Sequence, residues 1–74
     1  MAVFKDRIDE VLFVIETIKR EGESACRVRS PNVAGLGIVA PDLKKAIDEA
    51  TEVASALRQS HGQTGPFNVQ LEIR

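Results

Sequence analysis

The chain has 74 residues and a mass of 8.1 kDa, with ten Lys and Arg against eleven Asp and Glu, a formal net charge of −1. That length holds one hydrophobic core and no second domain, so the chain is expected to be a single small domain spanning residues 1–74. The near-neutral balance argues against a strongly basic nucleic-acid binder, although a local patch remains open. A single cysteine, Cys26, excludes an intramolecular disulfide and suits a reducing compartment.

The first residues, MAVFKDRIDE, alternate charge with apolar side chains and lack the apolar core of a signal peptide. The longest apolar run, VLFVI, is far shorter than the roughly 20 residues a membrane span requires. A cytoplasmic location without a membrane partner is therefore expected. Aromatic residues are scarce, and small domains lacking metals or disulfides often recover stability by oligomerising, so a homodimer or higher homo-oligomer is expected too.

The N-terminal third permits two readings. Phe4, Ile8, Val11, Leu12, Ile15 and Ile18 have the spacing of a four-turn helix, whereas VLFVIETI is dense in β-branched and aromatic residues that favour a strand. Gly22 in KREGES then makes a turn, and ACRVR returns as an alternating strand with Cys26 and Val28 on one face. A hairpin accounts for both halves and for the glycine. Pro31 stops the second strand, because it fixes φ and removes a hydrogen-bond donor. Gly35 and Gly37 allow a tight corner or a bulge, and Ile38 and Val39 form a brief third strand.

The spacing then predicts a helix from about Asp42 to Ser60. Leu43, Ala46, Ile47, Ala50, Val53, Ala54 and Leu57 form one apolar stripe, with Lys44, Lys45, Asp48, Glu49 and Glu52 opposite. Asp42 can cap the first turn and His61-Gly62 ends the last. HGQTGP is a loop by composition. In FNVQLEIR, Phe67, Val69, Leu71 and Ile73 alternate with Asn68, Gln70, Glu72 and Arg74, the pattern of a strand with one buried face. The fold class expected is α+β: an antiparallel sheet with one helix packed on a face, in the order β-β-β-α-β.

Read together, ACRVR-SPNVAGLGIVAPDLKKAIDEATEVASAL resembles the HicB-like antitoxin family. Ser30-Pro31-Asn32-Val33-Ala34-Gly35 stands where that family has a Pro-Asp-Leu-Pro-Gly type turn, and Asp42-Leu43-Lys44-Lys45-Ala46-Ile47 stands where its helix opens. VLFVIETIKREGESACRVR would be the family's first hairpin, which favours the strand reading. The match departs from the pattern in three places. Ala34 replaces a proline, Ala40-Pro41-Asp42 replaces Gly-Asp-Thr, and Lys44-Lys45 replace an acidic pair. The resemblance implies a non-catalytic antitoxin that occludes a small toxin ribonuclease. Members often carry a C-terminal DNA-binding domain; with the chain ending at Arg74, DNA binding by that route is not expected.

Chemistry-bearing residues are few. His61 falls where the helix should end and suits the negative end of its dipole. Cys26 in an alternating strand behaves as a small hydrophobe. One His and one Cys far apart provide no metal-site spacing, and GLGIVAP lacks the spacing of a dinucleotide or phosphate loop. Neither cofactor, metal nor catalytic residue is expected. The candidate partner-binding residues are Lys19, Arg20, Arg27 and Arg29, which a hairpin brings near one another. Their alternative role is weak nucleic-acid contact, disfavoured for single strands because no aromatic ring lies among them to stack on bases. A third possibility is a stand-alone oligomeric scaffold.

Overall fold

A computed structural model describes residues 8–74. Four strands and one helix follow in the order β1 (Asp9–Arg20), β2 (Glu23–Arg29), β3 (Gly37–Ala40), α1 (Leu43–Ser60) and β4 (Phe67–Ile73). The fold is α+β in the order expected. The helical reading of the N-terminal third does not hold for its described part: residues 9–20 form the longest strand of the sheet. Phe4 lies outside the described residues.

The hairpin closes through Glu21 and Gly22, whose φ angles are 52° and 82°. Positive φ at both central residues is the primed turn geometry that matches the twist of paired strands. From there β1 pairs antiparallel with β2 in a register that sets Arg20 opposite Glu23, Ile15 opposite Val28 and Val14 opposite Arg29. β3 then pairs antiparallel with β2, setting Ile38 opposite Val28.

One expectation is corrected. The sheet is not wholly antiparallel but mixed, with order β3-β2-β1-β4 and β4 parallel to β1. The reason is topological. β2 and β3 occupy one side of β1, and α1 returns the chain to the end from which β1 starts. The last strand therefore enters on the remaining side of β1 and runs in the same direction.

Helix α1 begins where Asp42, in an extended conformation, accepts a hydrogen bond from the Lys45 amide at 2.9 Å. It ends at His61, whose own amide donates to the carbonyls of Leu57 and Arg58. The helix lies over β2 and β3. The centre of its buried stripe is the row Ala46, Ala50 and Ala54 at four-residue steps, all fully buried, with Ile47, Val53 and Leu57 partly buried at its flanks. Leu43, at the start of the stripe, remains 40% exposed.

The core combines that alanine row with Val11, Phe13, Ile15, Val28 and Ala40 from the sheet. Burying a side chain the size of Phe13 or Ile15 contributes about 1.5–3 kcal/mol. Two core residues, Val33 and Leu36, come from the loop between β2 and β3. That loop closes on itself: the Leu36 amide donates to the Val33 carbonyl at 3.3 Å, and Gly35 takes φ 88°, the third position of a type II turn. The segment SPNVAGLG is thus a plug for the core as well as a corner.

Candidate functional site

The sheet has two unlike faces. On the helix side lie Asp9, Val11, Phe13, Ile15, Thr17 and Lys19 of β1, by strand alternation. The opposite face has no helix over it among the described residues. It presents Glu10, Leu12, Val14, Glu16, Ile18 and Arg20 from β1, flanked by Arg27 and Arg29 of β2 and by Asn68, Gln70 and Glu72 of β4.

On this open face Glu16 sits between two arginines. Its Oε1 accepts from Arg27 Nη2 at 3.2 Å and lies 3.1 Å from Arg29 Nε. The register explains the triad: Glu16 faces Arg27 directly, and Arg29 sits one pair further along opposite Val14. On the other side of Val14, Arg74 Nε donates to Glu72 Oε2 at 2.7 Å. Val14 itself is only 6% exposed. It forms, with Leu12, the apolar floor of a groove of about 350 Å³ whose walls are Arg29, Ser30, Pro31, Glu72 and Arg74.

The end of the groove nearest the β2–β3 loop is held by Asn32. Past the Val14–Arg29 pair the ladder between β1 and β2 stops, and the Leu12 amide donates instead to Asn32 Oδ1 at 2.7 Å. Asn32 thus replaces the strand that Pro31 interrupts. Its own amide donates to Ser30 Oγ at 3.1 Å.

Of the four candidate partner-binding residues, Arg27 and Arg29 come together through Glu16. Arg20 shares their face but lies beside the hairpin turn, where it lines a smaller groove of about 200 Å³ with Glu23, Ser24, Ala25, Val39 and Pro41. Lys19 stands on the helix side, away from the other three. Glu16, Leu12 and Val14 were not singled out from the sequence, since their grouping depends on the strand register.

A second feature that the sequence did not single out lies at the end of α1. Arg58 continues the alanine row at the next four-residue step and is 4% exposed. Its Nη2 donates to Asp9 Oδ2 at 3.0 Å, and its guanidinium lies 4.9 Å from the centre of the Phe67 ring. It fastens the helix to the first residues of β1 and β4, and its charge is satisfied within the fold. Cys26 is half-buried on the helix side, opposite Thr17 and Ala40. Among the described residues no group of His, Cys, Asp and Glu could hold a metal ion, and no helix is long and apolar enough to cross a membrane.

Comparisons with family models, with curated proteins and with solved structures find no match to this chain.

Proposed function

We propose that this chain is a non-catalytic protein-binding module of the HicB-like antitoxin type, which neutralises a small toxin ribonuclease by covering it with the open face of its sheet. The observation that carries this reading is the Leu12–Val14 groove framed by the Glu16–Arg27–Arg29 cluster and the Glu72–Arg74 pair. An apolar floor with a charged rim is the anatomy of a protein contact surface. Arginine, moreover, is among the residues enriched at such contacts.

The same geometry favours protein over nucleic acid as the ligand. Acidic and basic residues alternate across this face: Glu10, Glu16, Glu23 and Glu72 stand among Arg20, Arg27, Arg29 and Arg74. A polyanion would meet a carboxylate beside nearly every arginine, whereas phosphate recognition draws on unopposed positive charge.

The test is to look for a small ribonuclease encoded beside this chain, whose absence would count against the reading, and to assay inhibition of its RNA cleavage. Stoichiometric protein should suppress cleavage, and the double substitution Arg27→Glu with Arg29→Glu should remove most of the inhibition. Undiminished cleavage in the presence of the wild-type chain would refute the antitoxin reading. A shifted band with RNA or DNA at low salt, lost in the same double variant, would transfer the surface to nucleic acid.

A further inference from the structure

The two edges of the sheet differ. β3 has four residues, starts at Gly37 and is followed by Pro41, all features that blunt an edge. β4 has seven residues and contains no Pro, Gly or Lys. Its pairing with β1 fixes what the other side of the strand offers. The Arg74 amide donates to the Ile15 carbonyl at 2.8 Å, so backbone groups at even-numbered positions of β4 face β1. By strand alternation, those of Phe67, Val69, Leu71 and Ile73 face outward.

The same four residues carry the apolar side chains of β4. Because α1 lies over β2 and β3, it leaves Leu71 46% and Ile73 65% exposed. Among the described residues, backbone donors and acceptors therefore stand unpartnered along this edge beside the exposed Leu71 and Ile73, while Phe67 and Val69 pack partly against the core. The alanine stripe of α1, the other apolar face that could join two copies, is already buried against the chain's own sheet.

We propose that a second copy of this chain docks on that edge, its β4 antiparallel to the first, about a twofold axis at Gln70. The strand is self-complementary in this register. Gln70 is the midpoint of Phe67–Ile73, so the overlap is complete. The outward-facing groups at 67, 69, 71 and 73 of one copy meet those at 73, 71, 69 and 67 of the other. On the helix side Phe67 opposes Ile73 and Val69 opposes Leu71, so each exposed side chain of one copy meets a half-buried apolar one of the other in a continuous stripe. On the open face Gln70 opposes its own copy and Asn68 opposes Glu72, so no like charges meet. Moving the axis to Glu72 would set two carboxylates against each other, which is destabilising. Glu72 and Arg74 border both this edge and the groove, but Leu71 lies on the helix side of the sheet, away from Leu12, Val14 and Arg29, so a substitution at Leu71 tests the dimer without altering the groove.

Light scattering on the purified full chain at high micromolar concentration should give about twice the 8.1 kDa chain mass. Leu71→Lys should halve that mass while circular dichroism remains unchanged. Register is read by cysteine cross-linking in a Cys26→Ala background. Gln70→Cys should oxidise readily to a covalent dimer, whereas Asn68→Cys and Glu72→Cys should not, since each would stand roughly 14 Å from its own copy, too far for a disulfide. A monomeric wild-type chain, a dimer unaffected by Leu71→Lys, or cross-linking at position 68 or 72 in place of 70 would overturn the proposal. Should Leu71→Lys fail to fold, the cross-linking pattern decides alone.

Discussion

Two side chains carry structural tasks out of proportion to their size. Asn32 supplies the acceptor for the Leu12 amide where Pro31 has ended the ladder. Asn32→Ala should cost about 1 kcal/mol, the usual worth of one such bond, while Asn32→Asp, which keeps an acceptor oxygen, should retain most of the stability; urea unfolding measures both. Arg58 and Asp9 form an unequal pair, with side-chain exposures of 5% and 52%. Removing Asp9 leaves, among the described residues, the Phe67 ring as the remaining partner of a guanidinium charge in the interior. Asp9→Ala should therefore cost about 2 kcal/mol, more than the 0–1 kcal/mol of an exposed pair. Adding Arg58→Met should recover much of that loss, because the buried charge is then gone. A double-mutant cycle read by urea unfolding checks the pair, and equal, additive losses would contradict this description.

The helix rests on the sheet through a row of methyl groups, and this sets how closely the two layers approach. Ala50 lies in the middle of that row and is fully buried. Ala50→Leu should lift the helix from β2 and β3 and cost about 2 kcal/mol by overpacking, whereas the same change at the exposed position 56 should be nearly neutral; thermal unfolding distinguishes them. Much at this scale was legible in the sequence. Strict alternation marked β4 and Asp42 marked the start of α1, while Gly22 and the β-branched run favoured the β1–β2 hairpin without excluding a helix, whose apolar spacing the same residues share. Three features were not legible. The direction of β4 depends on which side of β1 is left free, which no local pattern encodes. Val33 and Leu36 lie in a loop, where apolar residues have no periodicity to announce burial. Arg58 occupies a stripe position, but a charge there reads as the polar side until its partners Asp9 and Phe67 are brought together by the fold. The arginines of β2 were visible as candidates, yet Glu16 between them and the Leu12–Val14 floor beside them appear only once the register is known.

At the level of the whole fold, the one helix among the described residues covers only part of one sheet face, and the surfaces it leaves open divide the proposed tasks. The β4 edge, with Leu71 and Ile73, is assigned to a second copy; the open face, with Glu16, Arg27 and Arg29, is assigned to a different protein. The two surfaces should respond separately to substitution. Leu71→Lys is expected to abolish the dimer yet leave contact with the ribonuclease within a few-fold, and charge reversal at Arg27 and Arg29 is expected to do the opposite. Calorimetric titration of the proposed partner, a small toxin ribonuclease, into the wild-type chain and into the Arg27→Glu, Arg29→Glu variant tests the assignment of the open face most directly. The account requires saturable binding to the wild type and at least a tenfold weaker association with the variant, both proteins being equally folded. Equal affinity for the two chains would contradict it.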